Sequence, residues 1–137
     1  MKQYIPISFF FTLLFCVWTS CKDSPYQQGK ILYEYYCANC HMEDGSGLKG
    51  LIPPLANADW LKNNQSEIAC LIRNGQKGAI VVNGQTYNQE MVGFPQLTRY
   101  ELANITNYIN QAWGNDFGVV KVTDIKKELE GCSDLKF

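Results

Sequence analysis

Two thiols and the only histidine of this 137-residue chain fall together in Cys37-Ala38-Asn39-Cys40-His41. No other local feature restricts the fold as much, because C-x-x-C-H is the attachment pattern of haem c. The spacing has a chemical reason. Two thiols add across the two vinyl groups of one porphyrin, and the adjacent histidine then lies under the iron as its proximal ligand. A bare C-x-x-C admits two other readings, a redox dithiol and half of a zinc site. Zinc needs a second ligand cluster, and Cys70 and Cys132 stand singly. A thioredoxin-like dithiol sits at a strand-to-helix turn, whereas the residues before Cys37 look helical. A single histidine also excludes paired-imidazole zinc sites and haem held between two histidines.

The length allows one domain. Twelve Lys+Arg against thirteen Asp+Glu give a formal charge of −1, without the basic stripe that nucleic-acid binding requires. Six cysteines in so short a chain point to an oxidising compartment or a cofactor. The first of them, Cys16, lies in an apolar run over residues 5–18 that follows Lys2 and is broken only by Pro6, Ser8 and Thr12. That run is too short to span a bilayer and suits the apolar core of a secretory signal. It ends in Trp18-Thr19-Ser20-Cys21, which resembles the lipobox of bacterial lipoproteins, with Trp18 in place of the usual aliphatic. The resemblance implies a signal over residues 1–20, lipid on Cys21, a tether over residues 21–28, and a cell-envelope protein anchored to a bacterial membrane facing the periplasm. Cleavage without lipid and an uncleaved signal anchor are the alternatives. Removal of residues 1–20 takes Lys2 and Cys16 away, leaving eleven Lys+Arg against thirteen Asp+Glu, a charge of −2.

Residues 28–36, Gln-Gly-Lys-Ile-Leu-Tyr-Glu-Tyr-Tyr, lead into the attachment motif with Ile31/Leu32 and Tyr35/Tyr36 at i, i+4 spacing, which predicts an amphipathic helix. Gly29 and Tyr33 precede Cys37 by eight and four residues. Here the chain resembles class I cytochromes c, whose first helix carries a glycine and an aromatic at those offsets. The resemblance implies an all-α fold wrapped around one covalent haem c, the domain spanning residues 29–114. It also implies that Gly29 lets the last helix cross closely and that Tyr33 packs beside the haem.

The sixth iron ligand follows by elimination. The methionines are Met1, in the signal; Met42, which adjoins His41 and cannot reach the opposite haem face; and Met91, fifty residues on. Its surroundings, Val82-Asn83-Gly84-Gln85-Thr86-Tyr87-Asn88-Gln89-Glu90-Met91-Val92, read as a loop. They resemble the V-N-G-x-x-Y-N-x-x-M-P segment of small bacterial monohaem cytochromes and of cytochrome domains fused to some redox enzymes. Gln89 replaces a common glycine and Val92 the usual proline, and the alternative is a buried packing methionine with five-coordinate iron or a Lys ligand.

Between His41 and Met91 lie Gly45, Gly47 and Gly50, then Pro53 and Pro54. In related cytochromes a proline carbonyl after this loop accepts the histidine Nδ1–H, and Pro53 and Pro54 are the candidates. Trp60 matches a tryptophan that reaches a haem propionate in the family, and it serves equally as a core residue at a helix start. Residues 66–75 read as a short helix with a glycine stop. Its Arg73 is read as solvated rather than paired to a propionate. Thr98 and Glu101 form a capping box ahead of the stripe Leu102, Ile105, Tyr108, Ile109 and Ala112, the expected final helix of the core. Tyr108 and Trp113 read as packing residues. Residues 115–137 form an extension with a short helix near 123–131. With Cys37 and Cys40 committed to thioethers, Cys70 and Cys132 are left to pair as a disulfide.

These readings make the chain a non-enzymatic one-electron carrier with His41/Met91-ligated haem c, serving membrane or periplasmic redox complexes such as an oxidase or reductase. The competing classes are a haem enzyme or gas sensor with an open iron site, an electron-transfer subunit of a larger enzyme, and a haem-free thiol-redox lipoprotein.

Overall fold

The computed structural model describes residues 26–132. The signal, Cys16, Cys21 and most of the tether lie outside the described residues. Helices α1 (Gln27–Tyr36) and α2 (Ala38–His41) carry the attachment motif. Helix α3 (Asp59–Asn63), a 3-10 turn (Gln65–Glu67) and α4 (Ile68–Asn74) follow, then α5 (Arg99–Gln111) and α6 (Val122–Glu130). No described helix is long and apolar enough to cross a membrane.

The expectation of an all-α chain is corrected by four short strands. β1 (Gly75–Gln76) pairs antiparallel with β4 (Met91–Val92), and β2 (Ile80–Val82) with β3 (Gln85–Tyr87). The segment read as a loop around Asn83-Gly84 is therefore a hairpin turn. Both residues have positive φ, +51° and +77°, the backbone that lets two-residue turns match the twist of their strands. Asp59 and Asn83 lock this turn to the start of α3. The Asp59 carboxylate accepts from Asn83 N–H at 2.7 Å, and the Asn83 side-chain oxygen accepts from Asp59 N–H at 3.0 Å.

Helices α1 and α5 cross at Gly29, where a Cβ would overlap the Asn104 carbonyl and the Tyr108 Cβ. Beside the crossing, Tyr33 is fully buried and its ring lies 5.3 Å from Tyr108 and 5.0 Å from Trp113, centroid to centroid. Its hydroxyl donates to the Met42 carbonyl at 2.6 Å. Trp113 lies over Gly45 and donates its indole N–H to the Glu43 carbonyl at 2.9 Å. The end of α5 thus holds the chain that leaves His41. The capping box at Thr98 forms as read, with Glu101 N–H donating to Thr98 Oγ1 and Thr98 N–H to the Glu101 carboxylate.

The extension packs on the domain through Ile125, which is fully buried, and through a Cys70–Cys132 disulfide whose Cα atoms lie 5.4 Å apart. One turn before Cys132, the Glu128 carboxylate accepts from the Ala69 and Cys70 N–H groups at 2.6 and 3.3 Å. Helix α4 has no side-chain cap from its own flank, so α6 satisfies two of the amides that a helix start leaves without partners.

Burial raises the Glu128 carboxyl above its ordinary value; the two amide hydrogen bonds oppose this and the nearby Glu67 charge adds to it. A carboxyl raised on folding contributes stability below its unfolded pKa and loses that contribution as pH rises through its folded pKa. Folding stability is therefore expected to carry a component that falls as pH climbs from the ordinary carboxylate range through the raised value. Glu128→Gln keeps an acceptor and should flatten that component. Urea midpoints across mildly acidic pH check this; a mutant profile parallel to the wild type would sink it.

Candidate haem site

The two glycine turns after His41 bend the chain back over the ring. Gly45 and Gly47 have φ of +68° and +66°, a region open to glycine and strained for other residues. The Gly45 carbonyl accepts from Leu55 and Ala56 N–H at 2.8 and 3.0 Å, which returns the proline segment to the histidine. There the His41 Nδ1–H donates to the Pro53 carbonyl at 3.1 Å. Of the two candidate prolines, Pro53 supplies this oxygen and Pro54 lines the adjoining wall. A bond from Nδ1 fixes the tautomer and turns the other ring nitrogen, Nε2, into a free donor of electron density. His41 is buried; burial lowers its pKa, and the Pro53 bond partly offsets that.

His41, Cys37, Cys40 and Met91 all line one cavity, with an empty volume of about 1110 Å³ that includes its solvent-open part. Its walls come from the helices and strands between α1 and β4 and from the segment after β4, with Leu61, Ile68, Ile72, Val82 and Phe94 among them. The Cys37 and Cys40 thiols are unpaired. Burial, with Cys40 beside it, pushes the Cys37 thiol up to about 12. A flat apolar group held by two thioethers and a ring nitrogen fits this donor set and this lining. The residues present therefore suit haem c.

Met91 reaches the wall from a strand, not from a loop. In β4 it stands opposite Gln76, with Val92 opposite Gly75. A Cβ on Gly93 would overlap the backbone of residues 73–75 at the end of α4, and Phe94 N–H donates to the Ile72 carbonyl at 2.9 Å. These contacts hold the methionine segment where Val92 replaces the family's proline.

Trp60 lies on the cavity wall. Tyr33 does not: it sits in the α1–α5 crossing among aromatic rings, and Tyr36 takes the place on the wall. The reason is geometric, because Tyr33 shares with Gly29 the α1 face that α5 covers. The solvated Arg73 is likewise corrected. Its Nη2 donates to the Leu97 carbonyl at 2.7 Å, bracing the segment after Met91, and its Nε is buried. Two residues that the sequence reading missed also bear on the site. Asn115 donates to the Leu55 and Ile109 carbonyls at 3.0 and 2.8 Å and accepts from Asn57 N–H at 2.7 Å, anchoring the chain beyond the prolines. Gln76 is buried on the cavity wall; its only sequence signal is the position after the Gly75 helix stop.

Comparison with known proteins agrees with this chemistry. The cytochrome c family model matches residues 26–113. Cytochrome c-552 of Thermus thermophilus is 37% identical over 83 residues, which is 58% of this chain and 63% of that protein. The cytochrome c subunit of a quinone alcohol dehydrogenase from Gluconobacter oxydans is 33% identical over 103 residues, 72% of this chain and 21% of that subunit. The counterpart from Komagataeibacter europaeus is 30% identical over 105 residues. The chain thus spans about three fifths of the first relative and about a fifth of the dehydrogenase subunits.

Proposed function

Because the chain belongs to the cytochrome c family, we propose that it is a lipid-tethered electron carrier whose haem c is ligated by His41 and Met91. As a c-type cytochrome it is an electron-transfer protein with covalently attached haem c, and electron carriage rather than catalysis is the role its relatives suggest. Bound in the cavity, haem c supplies a one-electron Fe(III)/Fe(II) couple. The protein does the rest. Cys37 and Cys40 would hold the group as thioethers, and the Pro53 carbonyl orients the His41 ring that would bind the iron. Met91 would supply the second iron ligand, and a thioether in that role raises the potential relative to a second histidine. Apolar walls exclude water from the couple.

The observation that carries this reading is the convergence of Cys37, Cys40, His41 and Met91 on one apolar cavity. An open-site haem enzyme or sensor lacks support, since no second histidine exists to act as a distal base. The tether and the periplasm-facing location rest on Lys2, the apolar run and Cys21. A second reading, as the electron-transfer subunit of a larger enzyme, is favoured by the similarity to dehydrogenase cytochrome subunits. In either case the partners are redox proteins.

The test uses the full chain expressed with haem attachment. A pyridine haemochrome of the c type is expected, and carbon monoxide should leave the ferrous spectrum unchanged. Absence of the haemochrome would return the thiol-redox reading, and immediate carbon monoxide binding the open-site reading. Labelled palmitate should enter the protein and be lost in Cys21→Ser; no incorporation would remove the tether.

A further inference from the structure

Among the described residues, five polar side chains are buried: His41, Gln76, Thr106, Asn110 and Asn115. Only two of them, His41 and Gln76, line the haem cavity. His41 has its role. Gln76, at 8% exposure, has none in the ligation described above, and a carboxamide set into an apolar wall costs free energy unless its hydrogen-bonding groups are used. Its one recorded bond is local: Nε2 donates to the Lys77 carbonyl at 3.2 Å. A carboxamide nitrogen carries two N–H groups, so the second has a direction of its own.

The strand register gives that direction a target. Gln76 and Met91 are direct cross-strand partners in the β1–β4 pair. Directly opposed residues of antiparallel strands project from the same face with their Cβ atoms about 5 Å apart. Side chains alternate along a strand, and the two residues of β4 differ in exposure. Both residues of β4 border the cavity, but Val92 is 73% exposed whereas Met91 is partly buried. Gly75, opposite Val92, has no side chain to place. The pair therefore presents one thioether and one carboxamide, side by side, to the same cavity.

We propose that Gln76 is a positioning and tuning residue for Met91, its free Nε2–H donating to the methionine sulfur on the haem side of the β1–β4 pair. This rests on the reading of Met91 as the iron ligand. A donor to sulfur draws off electron density that the thioether would otherwise give to ferric iron, so it favours the reduced state. It also fixes which sulfur lone pair faces the metal. The Lys77 carbonyl holds the amide in place, and the exposed Lys77–Glu90 ion pair at 3.3 Å lies just beyond the paired ends of the same two strands.

The experiment compares wild-type holoprotein with Gln76→Leu, which keeps an apolar wall and removes the donor. Midpoint potential and the long-wavelength sulfur-to-iron charge-transfer band of the ferric protein are measured together. Gln76→Leu is expected to keep the band, shifted, while the Fe(II)/Fe(III) ratio at fixed ambient potential falls about fivefold, or about 40 mV at ~59 mV per decade. Val81→Thr, at an exposed position of β2 that does not line the cavity, should leave both unchanged. An unshifted potential with an unshifted band in Gln76→Leu would overturn the proposal. A wild-type spectrum without the band would instead refute Met91 ligation, which separates the two failures. A readout independent of any variant is the ferrous wild-type NMR spectrum. Nuclear Overhauser contacts between the Gln76 side-chain amide protons and the Met91 methyl are expected, and their absence would overturn the proposal even if Gln76→Leu failed to fold.

Discussion

Met91→Ala is expected to abolish the sulfur-to-iron charge-transfer band of the ferric protein, open the ferrous iron to carbon monoxide and lower the midpoint potential steeply. Axial ligands command a range of about 0.8 V across haem proteins, and loss of a thioether should take on the order of 0.2 V of it. The size follows from chemistry. A thioether stabilises ferrous iron, and water or an empty site does not replace that preference. The other described methionine, Met42, directly follows His41 and does not offer a second thioether on the far side. Stability should fall much less than potential. Met91 is only partly buried, and its strand is still held by Gly93 against the α4 end and by Phe94 N–H on the Ile72 carbonyl. Potentiometry with visible spectroscopy checks this. A mutant that retains the band would refute Met91 as the ligand.

Opening the Cys70–Cys132 bond is the second large effect expected, and it acts on stability. The bond joins residues 62 apart in sequence. By the chain-entropy account, cross-linking a loop of that length contributes about 4 kcal/mol through the unfolded state. Thioethers resist thiol reductants, so dithiothreitol removes this cross-link and leaves the haem attachment intact. Urea unfolding of the holoprotein should shift to a much lower midpoint in reductant, and Cys132→Ser should show the lower midpoint with or without it. The midpoint potential should change little, because the bond lies on the side of α4 facing α6. An unaltered midpoint in reductant, or two free thiols titrated in the oxidised protein, would remove the disulfide from the account.

The parts of the site that were legible in the sequence share one property: their chemistry is local. Cys37, Cys40 and His41 are neighbours by necessity of the porphyrin, and Gly29 announces the helix crossing by its spacing from them. Met91 emerged because few ligand types were left. The hairpin was signalled by Asn83-Gly84, but its strands are only three residues long, and the second, Gln85–Tyr87, is polar enough to read as loop. Tyr33 was misplaced because helical spacing shows that it shares a face with Gly29, not whether that face meets haem or α5. Arg73, Asn115 and Gln76 act through backbone carbonyls or cross-strand neighbours that no periodicity reveals. Glu128 caps a helix that begins sixty residues earlier, a pairing only the folded chain defines.

That distant cap has a consequence for the order of events as the chain is made. Synthesis and any export proceed from the N-terminus, so Ile68 and Ile72 emerge well before the residues that finish their helix. Until α6 arrives with Glu128 and Cys132, α4 has two amides without their carboxylate and one thiol without its partner. The wall of the cavity that α4 forms is thus the last to be clamped.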